Sequence, residues 1–469
     1  MTGPFDAIVI GSGQAGPFLA ARLAATGQRT ALIEREHLGG TCVNDGCMPT
    51  KTLVASARVA HLARRSADFG VLLDGAVRVD MKAVKARKDA IVRQSVNNLS
   101  NWLTGLDKLR LVWGHARFVA PHAVEVAGEV LEAPKIFINV GGRATLPDWP
   151  GLNGVPVLTN TSLLELDTLP AHLLIAGGSY IGLEFAQIFR RFGSRVTVLE
   201  VADRLIPRED AEVSQAVQTL LENEGVKFHL GVRGAQASQG RPEGDGAIRL
   251  SFSCSQGQQG VSASHLFAAV GRRPNSDDLG LEHAGVATDP RGFIKTDDQL
   301  RTNVSGIWAL GDVNGRGAFT HTSYNDHEVV AANLLDGETR STAERIPAYA
   351  LFTDPPLARI GMSEAQVQAS GRPALIGTLP MSRVGRARER GETQGFMKVL
   401  VDAQTERILG ATLLCIEADE IIHSLLDVMQ AGASYKVIQR CVHIHPTVSE
   451  LIPTLLGKLQ ALTPLGDTP

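Results

Sequence analysis

The sequence predicts an α/β protein: two doubly wound units, each on a parallel sheet, followed by an α+β unit at the C-terminal end. Three observations carry that prediction. The apolar run Ala7-Ile8-Val9-Ile10 leads into Gly11-Ser12-Gly13-Gln14-Ala15-Gly16. A second run, Leu173 to Ala176, leads into Gly177-Gly178-Ser179-Tyr180-Ile181-Gly182. Towards the C-terminus the pattern changes to short β-type runs, Phe396 to Val401 and Ile408 to Leu414, ahead of an amphipathic stretch from Ala418 to Ala431.

Ala7 to Ile10 has no polar alternation, so it reads as a strand buried on both faces. Past the glycines, Ala15, Leu19 and Leu23 recur at helical spacing, and Pro17 falls in the first turn, where a missing N–H costs nothing. The next strand, Thr30 to Ile33, ends at Glu34. In the second copy the helix carries Ile181, Phe185, Ile188, Phe189 and Phe192 on one face, and the strand Arg195 to Leu199 ends at Glu200. First glycine to acid is 23 residues in both copies (11 to 34, 177 to 200). A lone GxGxxG is weak, but two with matching strands, helices and acid offsets mark two dinucleotide sites on Rossmann-like units. Glycines let the backbone close on a pyrophosphate at a helix N-terminus, and the acid accepts hydrogen bonds from a ribose. That assigns Gly11, Gly13, Gly16 and Glu34 to the first site, and Gly177, Gly182 and Glu200 to the second. Ser179 replaces a glycine of the second loop and points to looser binding there. A 2′-phosphate would meet like charge at Glu200, so NAD(H) is favoured over NADP(H), with Arg204 and Arg208 close enough to soften the preference.

Directly after the first unit comes Gly39-Gly40-Thr41-Cys42-Val43-Asn44-Asp45-Gly46-Cys47-Met48-Pro49-Thr50-Lys51. Cys-x4-Cys by itself is a metal clip, a structural pair or a redox pair. Its place beside a dinucleotide unit favours a dithiol that takes electrons from the bound nucleotide. Two further segments fit a flavin nucleotide: a strand and turn over Leu266 to Asn275, and the strand Ile307-Trp308-Ala309 ending in Gly311-Asp312. The alternative for Asp312 is a helix cap.

Composition excludes several classes. A chain of 469 residues holds two to four domains. A formal charge of −3 and a pI near 6.5 leave no electrostatic footprint for nucleic acid. No apolar run approaches the length that crosses a bilayer, and Ala7 to Ile10 lacks the basic flank of a signal peptide. Five cysteines with one close pair do not make a disulfide scaffold, so the chain reads as cytoplasmic.

Five motifs in order, namely the first glycine loop, the Cys42–Cys47 segment, Gly177 to Glu184, Gly311-Asp312 and His445-Pro446-Thr447-Val448-Ser449-Glu450, resemble the class I pyridine nucleotide–disulfide oxidoreductases. That family includes glutathione reductase, dihydrolipoamide dehydrogenase and mercuric reductase, and the resemblance covers essentially the whole chain. It implies FAD held by Glu34, Thr41, Gly311 and Asp312, with Cys47 beneath the flavin as charge-transfer thiol and Cys42 as interchange thiol. It implies a Lys51–Glu184 ion pair near flavin N5, Tyr180 gating the nicotinamide pocket, and a His445–Glu450 acid–base dyad reaching across a homodimer interface to the partner's cysteines. The corresponding division is FAD-binding over 1–149 and 271–340, NAD(P)-binding over 150–270, and an interface domain over 341–469. The expected activity is electron transfer from NADH through flavin and the Cys42–Cys47 disulfide to a small-molecule disulfide, or the reverse. The alternatives are reduction of a metal ion, Hg(II) or Cu(II), or of a quinone on the same core, and a non-enzymatic dithiol sensor or metal store.

Departures from the family narrow the choice. The chain starts at the first strand and carries no cysteine near its C-terminal end, unlike specialised mercuric reductases and thioredoxin reductases with a C-terminal redox pair. Pro17-Phe18 and the stretch Phe319 to Asp326 resemble bacterial flavoproteins grouped with oxidant and copper(II) resistance. Asp45, between the cysteines, either faces the sulfurs and raises their pKa or faces solvent, and solvent is the expectation. Cys254, Cys415 and Cys441 read as packing or surface residues, and His321 and His327 as loop or helix-surface residues. Arg383 to Arg390 reads as a solvated face, and the Gly/Ser/Gln-rich stretches at 234–247 and 254–262 read as hairpin loops in the NAD(P)-binding domain, not linkers.

Overall fold

A computed structural model describes residues 4–240 and 247–463. The first unit is a five-stranded parallel sheet in the order Ile307–Ala309, Ile136–Ile138, Ala7–Ile10, Thr30–Glu34, Leu109–Trp113. Ala7–Ile10 is central and wholly buried, as its unbroken apolar run requires. The Gly16–Ala25 helix, with Pro17 in its first turn, packs Leu19 and Leu23 on one face of the sheet. The second unit repeats the design in the order Lys227–His229, Arg195–Leu199, His172–Ala176, His265–Ala268, Val157–Leu158, all parallel. Its helix, Tyr180–Phe192, drives Phe185, Ile188, Phe189 and Phe192 into the core. Ile181, placed with them by periodicity, is 38% exposed, because the first turn projects past the sheet.

The C-terminal unit is a six-stranded antiparallel sheet in the order Ala348–Leu351, Leu357–Gly361, Ile408–Leu414, Phe396–Asp402, Ala374–Pro380, Gln460–Ala461. The Ala418–Gln430 helix lays Ile421, Ile422 and Leu425 over it. The molecule is therefore an α/β fold of two Rossmann-like units with an α+β C-terminal domain.

Ion pairs fasten the units together. Lys398 on the antiparallel sheet is 1% exposed and reaches Asp210 and Glu212 of the second unit at 2.8 and 2.6 Å, and Glu364 at 2.9 Å. Arg58, on the helix that carries the dithiol, binds Asp354 and Glu392 of the C-terminal unit. Removing one partner of a buried pair strands the other charge, so these contacts hold the units in register.

Three sequence expectations are corrected here. The run beginning at Leu266 joins the sheet of the second unit, and only Arg272–Pro274 returns to the first, pairing antiparallel with Gly142–Ala144. The stretches read as hairpin loops do belong to hairpins but are largely strand, in a three-stranded meander of Arg233–Gln239, Ile248–Cys254 and Gly257–Ala263. Residues 241–246 of that region lie outside the described residues. Alternation explains the strands: Ala235, Ala237, Ile248, Leu250, Phe252 and Ala263 face the core, and the Ser, Gln and Gly between them mask the period on the exposed face. His327 is buried within the Thr320–Ala331 helix, tilted against Phe18 and edge-on to Tyr324, and is not a surface residue.

Candidate active site

The dithiol segment folds as a short helix, Gly40–Asn44, and an 18-residue helix, Cys47–Arg64. Asn44 closes the turn by donating from Nδ2 to the carbonyls of Leu38 and Gly40, both at 2.9 Å. A Cβ on Gly40 would sit 2.8 Å from the Cα of Gly13. The cysteine segment thus lies directly against the first glycine loop, which is why the two motifs are neighbours in sequence.

Cys47 is the first residue of its helix, where the unpaired N–H groups favour negative charge. Its thiol is lowered to about 6, first by the hydrogen bond from Cys42, then by Thr320 and by the positive charge of Lys51. The Cys47 Sγ to Thr320 Oγ1 distance is 3.3 Å. Cys42 moves the opposite way, raised by the same hydrogen bond and by burial. Of the two sulfurs, Cys47 is the one whose surroundings favour the thiolate. Lys51, one turn on, places Nζ 3.0 and 2.8 Å from the two oxygens of Glu184, whose Oε1 also accepts the Phe352 N–H at 2.9 Å. Glu184 is 7% exposed, and this pair joins the dithiol helix to the helix of the second unit.

The two nucleotide loops are braced identically. Glu34 accepts the Ser12 N–H at 3.0 Å and its hydroxyl at 2.5 Å on Oε2, and the Glu36 N–H at 2.8 Å on Oε1. Glu200 accepts the Gly178 N–H at 2.7 Å on Oε2 and the Ala202 N–H at 2.8 Å on Oε1. Each acid therefore ties its glycine loop to its own strand end before any ribose arrives. Glycine is required in both: a Cβ would lie 2.1 Å from a carbonyl oxygen at Gly16 and at Gly182, and 2.4 and 2.3 Å from one at Gly11 and Gly177.

Asp312 sits in the 3₁₀ turn Gly311–Asn314, and burial raises its carboxyl above the usual range. Arg272 Nε lies 3.8 Å from it, buried, with no hydrogen-bond partner among the described residues. Arg272 Nη2 is 3.4 Å from Thr41 Oγ1. A buried guanidinium nitrogen and a desolvated acid left facing one another beside the glycine loop suit a long polar ligand with phosphates and hydroxyls, as FAD is. Tyr180 heads the second unit's helix, 6.4 Å edge-on from Phe319, the neighbour of Thr320.

His445 Nδ1 and Glu450 Oε2 are 2.8 Å apart, with the imidazole 80% exposed and the acid 11%. Val442 and Ile444 beside it are 99% and 79% exposed, so the dyad stands on an apolar outer face of the chain.

Asp45 does not turn to the sulfurs: at the surface its carboxylate accepts the Thr161 hydroxyl, and its carbonyl accepts the Asn160 amide at 2.7 Å. Arg204, named beside the second site, donates to the Pro207 carbonyl at 2.9 Å. Cys415 is buried and pushed up to about 12 by burial, Cys254 is half-buried and Cys441 exposed. His321 lies 2.7 Å from the Ala348 carbonyl through Nε2. The Arg383 to Arg390 run is partly paired, Arg386 with Glu389 and Arg390 with Glu417. No group of three or more metal-ligating side chains occurs among the described residues, nor does any helix long and apolar enough to cross a membrane. Sequence reasoning missed Thr320, Arg272 and Asp326, which accepts the Gly311 N–H at 2.8 Å. Thr320 and Asp326 lie in the stretch Phe319 to Asp326, but nothing local in it tells which side chain turns inward.

The family model for pyridine nucleotide-disulphide oxidoreductases matches residues 5–326, and that for the family's dimerisation domain matches 347–456. The chain belongs to this family. It is a flavoprotein disulfide oxidoreductase that uses FAD and a pyridine nucleotide. It is 38% identical over 462 residues to a probable pyridine nucleotide-disulfide oxidoreductase, RclA, of Escherichia coli (strain K12), covering 97% of this chain and 99% of that one. It is 36% identical over 469 residues to a mercuric reductase of Streptomyces lividans, covering 99% and 97%. The solved structure of the HOCl-induced flavoprotein disulfide reductase RclA from Escherichia coli matches with a TM-score of 0.87 and 36% identity over 97% of this chain and 99% of that one. A Cu(II) complex of the same reductase matches equally well.

The thiolate assignment makes a pH prediction. In two-electron-reduced holoenzyme the long-wavelength absorption from the Cys47 thiolate should persist down to about pH 6 and fade below it, as that thiol takes up its proton. Cys47→Ser should lack the band at every pH. A band that survives Cys47→Ser, or that appears only above pH 8, contradicts the assignment.

Proposed function

We propose that the protein is an NADH-dependent reductase of small-molecule disulfides, with Cys42 and Cys47 as its redox pair. The observation that carries this reading is the placing of Cys47 at the start of its helix, 3.3 Å from Thr320 Oγ1 and one turn from Lys51, whose Nζ pairs with Glu184 at 2.8 Å. The first glycine loop with Glu34, Thr41, Gly311 and Asp312 would hold FAD, which would supply the relay of two electrons from a nicotinamide nucleotide to the Cys42–Cys47 disulfide. The product is a Cys47 thiolate and a Cys42 thiol. Because Cys42 keeps the proton, it needs a base before it can attack. That base is His445 of the partner subunit in a homodimer, its ring oriented by Glu450. Cys42 sulfur then bonds to one sulfur of the substrate, the substrate S–S bond breaks, and the departing thiolate takes the proton from the imidazolium. Cys47 attacks Cys42, the intramolecular disulfide re-forms, and the second substrate thiolate leaves. FAD is assigned to 1–149 with 271–340 and the nicotinamide nucleotide to 150–270, in a cytoplasmic dimer built on 341–469.

A second reading is favoured by one specific observation, the Cu(II) complex solved for the related reductase. Here two Cu(II) ions each take one electron as the Cys47 thiolate and Cys42 thiol close to the disulfide and the one proton on Cys42 is released. No sulfur leaving group needs a proton, so His445 is dispensable.

Two outcomes test these readings. NADH should show the higher catalytic efficiency, and Glu200→Gln, which keeps one acceptor for the loop N–H groups but removes the charge, should narrow the gap. NADPH preferred by the wild type contradicts the assignment of Glu200. His445→Ala should lower disulfide turnover ~10²–10⁴-fold while flavin reduction by NADH is spared. Disulfide turnover untouched by His445→Ala overturns the first reading, and a wild type that reduces Cu(II) but accepts no disulfide promotes the second.

A further inference from the structure

Tyr180 is tied down by a buried carboxylate that the nucleotide motif does not contain. Glu209 is 2% exposed and takes two phenols on one oxygen: Tyr180 donates to Oε1 at 2.9 Å and Tyr349 to the same atom at 2.6 Å. Its other oxygen accepts from Arg359 Nη1 at 2.8 Å. Tyr349 and Arg359 come from the antiparallel domain, where they are direct cross-strand partners. One pair of neighbours on that sheet therefore meets a loop of the second unit.

That loop is built to deliver Glu209. Ile206 donates its N–H to the Gly178 carbonyl at 3.0 Å, and Glu209 donates to the Ile206 carbonyl at 2.9 Å. Ile206 holds φ +38, a left-handed backbone that a β-branched residue adopts only where its surroundings impose it. Leu205 closes over Gly178, within 2.6 Å of where a Cβ would stand. The carboxylate and the phosphate-binding loop thus move as one piece, and Tyr180 springs from the end of that loop.

Opening Tyr180 means taking its hydroxyl off a buried carboxylate oxygen. A bare buried acceptor is costly, but Tyr349 stays on the same oxygen and Arg359 on the other. The arrangement removes most of the penalty for opening while still favouring the closed position. Burial raises both phenols, Tyr349 to about 12, so each remains a donor throughout the working pH range. Around them, Phe319 stacks on Tyr349 at 5.4 Å and 7°, and Tyr180 meets Tyr349 edge-on at 5.6 Å. Phe319 precedes the threonine that touches Cys47, so the latched tyrosine closes against the segment carrying the dithiol's own hydrogen-bond partner.

We propose that Glu209 is a positioning residue that latches Tyr180 shut over the nicotinamide pocket, and that Tyr349 is the retained partner that lets the latch release. This rests on the reading of Tyr180 as the nicotinamide gate. If the closed form excludes nicotinamide, the apparent dissociation constant is the intrinsic one divided by the open fraction. Losing the Tyr180 bond and losing the Tyr349 bond then act in opposite directions. That opposition separates a latch from a merely structural cluster.

The test is fluorescence titration of FAD-loaded enzyme with tetrahydro-NAD, which binds but transfers no hydride, together with stopped-flow flavin reduction at saturating NADH. Tyr180→Phe and Glu209→Gln should each lower the dissociation constant roughly 5-fold, the worth of one ordinary hydrogen bond. Tyr349→Phe should raise it roughly 2- to 5-fold, because Tyr180 becomes the last phenol on the oxygen. The limiting rate of flavin reduction should not change in Tyr349→Phe, and Tyr349→Phe should have no effect on binding in a Tyr180→Phe background. Should Glu209→Gln not yield folded holoenzyme with Arg359 unpaired, Tyr349→Phe carries the test alone. A Tyr349→Phe shift that is absent, downward, or retained without the Tyr180 hydroxyl overturns the latch. Removing the ring with Tyr180→Ala distinguishes the two levels. If neither binding nor limiting rate responds, the gate itself is wrong, whereas a response there with a silent Tyr349→Phe leaves the gate and rejects the latch.

Discussion

The chemistry of this protein depends on where one proton sits. Two thiols five residues apart share it, and the surroundings decide that Cys47 gives it up. Cys47 begins a long helix, accepts from Cys42, contacts Thr320 and lies one turn from Lys51. Cys42 sits on a single helical turn, where the hydrogen bond it gives to Cys47 and its desolvation outweigh what Thr320 and Lys51 offer its anion. In the proposed mechanism the thiolate serves the electron-carrying side and the protonated thiol the substrate side. The second would then be activated from outside, the part proposed for the exposed imidazole of His445 beside the nearly buried Glu450.

Much of the remaining structure serves to bring that pair between two nucleotides. Glu34 and Glu200 brace their glycine loops with matching hydrogen bonds, so the duplication extends from sequence spacing to individual N–H groups. The Lys51–Glu184 pair ties the first site to the second, and Arg58 and Lys398 tie the dithiol helix and the second unit to the antiparallel domain. Most of these contacts are charged and largely withdrawn from water, where their geometry is enforced by the cost of leaving a partner bare.

Legibility followed the range of the interaction. The central strands and the nucleotide helices were readable because burial on both faces leaves an unbroken apolar run and glycine leaves a fixed spacing. The Gly/Ser/Gln-rich meander was not, because its core-facing half-period is carried partly by alanine while its polar half dominates the composition. At the site, the cysteines, Lys51 and Glu184 announce themselves through motif order. Arg272, Asp326 and Glu209 do not, since each acquires its meaning from partners that are far away in sequence, as Glu209 does from Arg359. Asp45 shows the same limit: no local pattern connects it to Asn160 and Thr161, which bind its carbonyl and its carboxylate.

The division of labour between the two sulfurs is the central claim, and covalent trapping tests it most directly. Single-cysteine variants, reduced and then exposed to a small symmetrical disulfide, can be read by intact and peptide mass spectrometry. With Cys47→Ser the resolving thiol is gone, so a stoichiometric mixed disulfide should accumulate on Cys42. With Cys42→Ser the remaining thiolate lies on the flavin side and should trap little. An adduct that forms on Cys47 in preference to Cys42 would contradict the account.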